Sequence, residues 1–98
     1  MANGIIQLTG TIAVPEDRLD TFRAGLAVHK RLSEEDAGCL VFRVSPDEND
    51  PCLYHVFEQF EDPPSFEAHK ERTMASDWWQ ITSGLDRVYE EQIIEQEP

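Results

Sequence analysis

Residues 54–79 read YHVFEQFEDPPSFEAHKERTMASDWW, a passage that changes period twice and so sets the order of elements around it. Tyr54, Val56, Glu58 and Phe60 alternate with Leu53, His55, Phe57 and Gln59, which is the period of a strand. Pro63 and Pro64 break the alternation, and Ser65 is placed to cap a helix beginning near Phe66 and carrying His69. That helix is interrupted near Ala75 and Ser76 and resumes through Trp78, Trp79 and Ile81 to Gly84. Successive helical residues point about 100° apart, so only one of Trp78 and Trp79 can face fully inward. A strand bearing aromatic rings opposite a helix bearing a histidine makes either a core or a pocket.

Working outward, the chain before residue 54 supplies a hairpin partner. Leu40, Phe42 and Val44 alternate with Cys39, Val41 and Arg43, and SPDENDP at 45–51 supplies turn chemistry. A turn centred near Asn49 predicts Phe42 opposite Val56 and Val44 opposite Tyr54, all four on one face. Val41, Arg43, Leu53, His55 and Phe57 take the other face. Glu58 falls among the apolar residues of the first face, where a lone carboxylate is costly, so it needs a partner or a raised pKa.

Ile5, Ile6, Leu8, Ile12 and Val14 read as a first strand stopped by Pro15, and Leu19, Phe22, Leu26 and Leu32 recur at helical spacing over 15–36, before Gly38. Residues 85–95 read as a last strand. The order strand, helix, strand, strand, helix, strand predicts an α+β, ferredoxin-like βαββαβ sandwich with an antiparallel sheet. Both sheet faces are substantially apolar, so one face packs under helices and the other needs a cover, which the sheet of a second subunit would provide. At 98 residues the chain reads as one domain over 1–98.

Twenty acidic residues against eight basic ones give a formal net charge of −12 with no basic stripe, which excludes nucleic acid and anionic membrane surfaces and leaves neutral or weakly acidic small molecules or proteins. No apolar run spans a bilayer and 1–10 lacks the pattern of a signal peptide, so a cytoplasmic protein is expected. Cys39 and Cys52 fall far apart along the hairpin, so no disulfide between them is expected. Spacings for a metal, a nucleotide loop or a nucleophile elbow are absent, and no metal or cofactor is predicted.

His69 has two readings: a proton-transfer group in a pocket wall, or a half-buried histidine on a helix flank. His29, between Leu26 and Leu32, reads as a helix-face residue at the core edge, and His55 as an interface residue beside Arg43.

The chain resembles the antibiotic biosynthesis monooxygenase domain family, small dimeric α/β-barrel proteins that include cofactor-free quinol and polyketide oxygenases. The resemblance rests on Thr9-Gly10-Thr11-Ile12 with Val14-Pro15-Glu16, on Ala37-Gly38-Cys39 with Phe42, and on Phe57-Glu58-Gln59-Phe60-Glu61-Asp62 before Phe66-Glu67-Ala68-His69. Asp36-Ala37 stands where the family often has Glu-Pro, a departure read as touching only the loop. The family's haem-degrading members use an Asn, a Trp and a His, and the matching positions here are Gly10, His69 and Trp79, which disfavours haem chemistry. For the quinol-oxidising branch the resemblance implies a small aromatic substrate and dioxygen as partners, and a homodimer formed through the sheet face. On that reading His69 is the base or phenolate partner, Tyr54 and Trp79 are the other catalytic candidates, and Phe42, Val56, Glu58, Phe60 and Trp78 shape the substrate pocket. The alternative is a noncatalytic dimer of the same fold that binds an aromatic metabolite.

Overall fold

The computed structural model describes residues 4–95. Residues 1–3 and 96–98 of the span read as one domain lie outside the described residues. The elements are β1 (Gly4–Ala13), a 3-10 turn (Glu16–Arg18), α1 (Leu19–Glu34), β2 (Cys39–Pro46), β3 (Leu53–Phe60), α2 (Pro63–Met74), α3 (Asp77–Thr82) and β4 (Asp86–Glu95). The sheet has strand order β2-β3-β1-β4, and each of its three pairings is antiparallel. This is the expected ferredoxin-like α+β arrangement.

Side chains alternate across the sheet as the period of two demands. Ile6, Leu8 and Ile12 of β1 and Tyr54, Val56, Glu58 and Phe60 of β3 are buried under the helices, while His55 on the opposite face is exposed. Phe22 of α1, fully buried, joins Phe60, Tyr54, Leu19, Val14 and Trp78 in the core. Trp78 is buried and Trp79 only half-buried, the divergence expected of neighbours on a helix.

The hairpin register differs from the expected one by two residues. Phe42 lies opposite Glu58 and Val44 opposite Val56, with an irregularity between Cys39 and Val41. The turn is tightened by two carboxylates that fold back on the backbone: Asn49 N donates to Asp47 Oδ2 at 2.9 Å and Cys52 N to Asp50 Oδ1 at 2.9 Å. They move the centre of the hairpin toward Asp50, and a shift of two keeps every side chain on its expected face. His55 therefore lies opposite Ser45 instead of beside Arg43, and its Nε2 contacts Asp47 Oδ1 at 2.7 Å. Both cysteines are free.

The start of α2 is also earlier than the sequence suggests. Asp62, not Ser65, is the N-cap: its carboxylate accepts from Ser65 N at 2.8 Å, and the two prolines occupy the first helical positions. A proline there loses no hydrogen bond, because the first N–H groups of a helix have no partner within it. Ser65 instead packs beside Gly38, whose φ of +82° favours glycine and whose Cβ, if it had one, would meet Ser65 Cβ at 2.6 Å. This close approach docks the end of the α1–β2 loop against α2 and brings Asp36 within reach of His69.

Candidate functional site

Between β4 and the helices α2 and α3 lies a cleft of about 490 Å³, lined by residues from every layer of the fold. Glu58 comes from β3, His69 and Thr73 from α2, Trp78 and Trp79 from α3, Arg87, Tyr89 and Glu91 from β4, and His29 from α1. A larger groove of about 700 Å³ between α1 and α3 shares His29 and Trp78 with the cleft, but among the described residues adds Asp77 as its only other ionisable group. The chemistry is concentrated in the cleft.

His69 is buried and held from two sides. Its Nδ1 lies 2.7 Å from Asp36 Oδ2 and its Nε2 lies 3.4 Å from Glu58 Oε1 and 3.5 Å from Thr73 Oγ1. Arg72 fixes the far side of Asp36: Nε donates to Oδ1 and Nη2 to Oδ2, each at 2.8 Å. Burial alone would raise the Asp36 pKa, but the bonds from Arg72 and then His69 outweigh it and hold the carboxyl below its ordinary value. An ionised Asp36 can only accept, so the hydrogen of His69 sits on Nδ1 and Nε2 is the end left for a ligand. Burial likewise pulls the His69 pKa down, but the contacts with Glu58 and Asp36 prevail and place it above the ordinary histidine value. Glu58 thus has the partner its position demands, though a loose one: among the described residues Oε1 makes no hydrogen bond and keeps only the ionic contact with His69.

His29 behaves in the opposite way. Its ring stacks on Trp78, centroids 5.0 Å apart at 8°, and lies 5.7 Å from the His69 ring. Burial, reinforced by the positive charges of His69 and Arg72, pushes its pKa down to about 3. Arg72 Nη2 donates to Ser33 Oγ at 3.2 Å, and Ser33 Oγ lies 3.4 Å from His29 Nε2. When Ser33 donates to Nε2, the His29 hydrogen rests on Nδ1, a buried atom with no partner. The polar residues thus form one chain from Glu58 through His69, Asp36, Arg72 and Ser33 to His29. Among the described residues no group of three or more His, Cys, Asp or Glu side chains is placed to hold a metal ion.

Four residues expected at the site from the sequence line the cleft: His69, Trp79, Glu58 and Trp78. The other four do not. Tyr54 is buried against Phe22, centroids 4.7 Å apart, and its hydroxyl accepts from Arg23 Nε at 3.2 Å, away from the cleft. Val56 belongs to the core. Phe60 and Phe42 back the site from beneath, packing on the rings of His69 (4.7 Å) and His29 (5.4 Å). The sequence reading missed Asp36, taken as loop, and His29, taken as a core-edge residue. It also missed the cleft wall of Arg87, Tyr89 and Glu91, although their alternation along β4 already placed them on one face.

A family model described as antibiotic biosynthesis monooxygenase matches residues 5–80. The chain belongs to that family. The matched segment includes Asp36, Glu58, His69, Trp78 and Trp79 but stops before β4, so the wall of Arg87, Tyr89 and Glu91 lies beyond the match. Among solved structures, a conserved Bacteroides thetaiotaomicron protein of unknown function, described as a possible oxidoreductase, superposes with a TM-score of 0.83 at 16% identity, covering 95% of this chain and 100% of that one. A provisionally named antibiotic biosynthesis monooxygenase from Nitrosomonas europaea gives 0.79 at 15% identity, covering 98% and 93%. Another so named, from Caulobacter crescentus, gives 0.73 at 18%, covering 92% and 89%. At such identities these structures speak for the fold. No curated protein matches the sequence. Among the described residues no helix is long and apolar enough to cross a membrane.

Proposed function

We propose that the cleft is the site of a cofactor-independent monooxygenase acting on a quinol or related phenol, with His69 as the base. The observation that carries this reading is the fixed tautomer of His69: Asp36 accepts from Nδ1–H, so in the neutral ring Nε2 is the oriented proton acceptor, in a largely apolar, aromatic-walled cleft. Taking the phenolic proton makes an electron-rich phenolate, and Glu58 at 3.4 Å stabilises the imidazolium that results. The phenolate then passes an electron to dioxygen, the two radicals join at a ring carbon, and the imidazolium returns its proton to the peroxide. Loss of water leaves the oxidised ring. For a hydroquinone, one dioxygen gives one hydroxyquinone and one water: one oxygen atom stays on the ring and the other leaves with two of the substrate's hydrogens. All four electrons come from the substrate, so no reductant is required.

The haem-degrading branch finds no support in the cleft. A Cβ at Gly10 would run into the backbone carbonyl oxygen of Val88 and meet Tyr89 Cδ1 at 2.6 Å, so an asparagine at that position has no room beside β4. A homodimer through the outer sheet face belongs to the same proposal, supported by the apolar residues that face leaves uncovered, Val88 at 72% and Ile94 at 38% exposure among them.

Oxygen uptake with a panel of hydroquinones, corrected for autoxidation and compared with anaerobic controls, tests the oxygenase. The expected result is uptake that falls by about a hundredfold or more in His69→Gln, with circular dichroism confirming the fold. Oxidation that tracks neither dioxygen nor His69 overturns it. One observation favours a second reading, a noncatalytic binder: the raised His69 pKa favours imidazolium, which cannot take a proton. Quenching of Trp78 and Trp79 fluorescence by the panel without oxygen uptake selects that reading.

A further inference from the structure

The charges of the cleft are matched, with one exception. Lys70 Nζ lies 3.0 Å from Glu67 Oε1 and 3.9 Å from Glu91 Oε1, and His69 sits between Asp36 and Glu58. Arg87 is half-buried in the wall, and among the described residues it forms no ion pair. In a chain with twenty acidic residues against eight basic ones, an unmatched guanidinium in an apolar cleft is a selective feature. Nor is it free to wander, because its central carbon lies over the Trp79 ring at 4.8 Å and within 5.9 Å of the Tyr89 ring centre. Contact with the rings holds a guanidinium by its charge, and a guanidinium carries N–H donors in a fork that matches the two oxygens of a carboxylate.

We propose that the aromatic molecule bound in this cleft carries a carboxylate, and that Arg87 reads it while Trp79 and Tyr89 hold the guanidinium in register. The inference rests on the cleft being the binding site for a phenol, and adds the substituent that selects among phenols. It also accounts for a cation persisting in so acidic a protein: the overall field weakens anion binding at every other place, and Arg87 with its aromatic supports restores it locally. Glu91, on the same wall, lies 3.9 Å from Lys70 Nζ, which offsets part of its charge.

Isothermal titration calorimetry with two matched pairs tests this: 2,5-dihydroxybenzoate against its methyl ester, and 1,4-dihydroxy-2-naphthoate against its methyl ester, all under argon. The acids are expected to bind at least about tenfold tighter than the esters. Arg87→Gln is expected to abolish that preference by weakening the acids alone, and Arg87→Lys to retain part of it, since a lysine keeps the charge without the fork. Equal affinity of acid and ester for the unaltered protein overturns the proposal, as does an Arg87→Gln loss shared equally by both, or failure of both acids to bind. The outcomes separate this inference from the oxygenase reading. Acids that bind while neither they nor the hydroquinone panel drive oxygen uptake keep the carboxylate site and remove the oxygenase, whereas oxygen uptake with neutral hydroquinones and no binding of acids does the reverse.

Discussion

The buried layer between sheet and helices has two ends built on different physics. At one end Phe22, Tyr54, Leu19, Ile12, Val14 and Leu85 exclude water by apolar packing, with the Phe22 ring 4.7 Å from Tyr54 and 5.0 Å from Trp78. At the other, beneath the same helices, Glu58, His69, Asp36, Arg72, Ser33 and His29 are linked through polar contacts, and three of their side-chain atoms are left without a hydrogen bond. The apolar end supplies stability that is indifferent to pH. The polar end gives some of that up for a histidine whose proton is assigned in advance.

Truncating the apolar end should cost most. Phe22→Ala is expected to destabilise by about 3–5 kcal/mol in chemical denaturation, because a fully buried ring is lost and its neighbours relax only in part. A loss below about 1 kcal/mol would mean that the two ends are not energetically distinct. Asp36→Asn attacks the polar end by removing the charge shared by His69 and Arg72. With the side chains of Asp36 and Arg72 16% and 29% exposed, about 2 kcal/mol is expected, less than for a fully enclosed pair. The same substitution should lower the His69 pKa, read from its ring protons by NMR; an unchanged value would remove Asp36 from the clamp.

Acid separates the two histidines, because their shifts have opposite signs. His29, depressed to about 3, stays neutral in the folded state while it protonates in the unfolded chain near 6.5, so its contribution to stability falls as pH falls through 6.5 toward 3. Between about pH 6.5 and 5 this amounts to roughly 1–2 kcal/mol. His69, raised above its unfolded value, contributes fully below about pH 6.5 and loses that contribution as pH rises through its folded pKa. His29→Leu should therefore flatten the acid limb of a stability–pH curve and His69→Gln the limb above neutrality. Both limbs unchanged would show that neither histidine titrates as its surroundings require. The smallest effect is expected of Tyr54→Phe, under about 1 kcal/mol, with ligand affinity in the cleft unaltered. A changed affinity would extend the site to the apolar end.

The legibility of the chain follows the same division. Strands, helices and the inward face of the sheet could be read because each depends on local periodicity, and a two-residue slip of the hairpin left every face as expected. Tyr54 was misplaced because alternation gives the face of a side chain but not its position along the strand. Asp36 was missed because its partners His69 and Arg72 lie 33 and 36 residues further on, and only the docking of Gly38 against Ser65 brings them together. His29 gave the sequence pattern of a core-edge residue, and its stacking on Trp78 depends on how α1 and α3 cross. Arg87 was legible as part of a strand, but its lack of an ion pair is a property of the assembled cleft.

The position of β4 has a mechanical consequence. Among the described residues it lies at one edge of the sheet and is hydrogen-bonded along one side only, to β1, yet it carries three of the cleft's side chains. One wall of the cleft is therefore hung from a single seam, while the His69 clamp is anchored to elements packed from several directions. Breathing of that edge can admit or release a molecule without disturbing the clamp, and amide exchange along β4 should outpace that of β1 and β3.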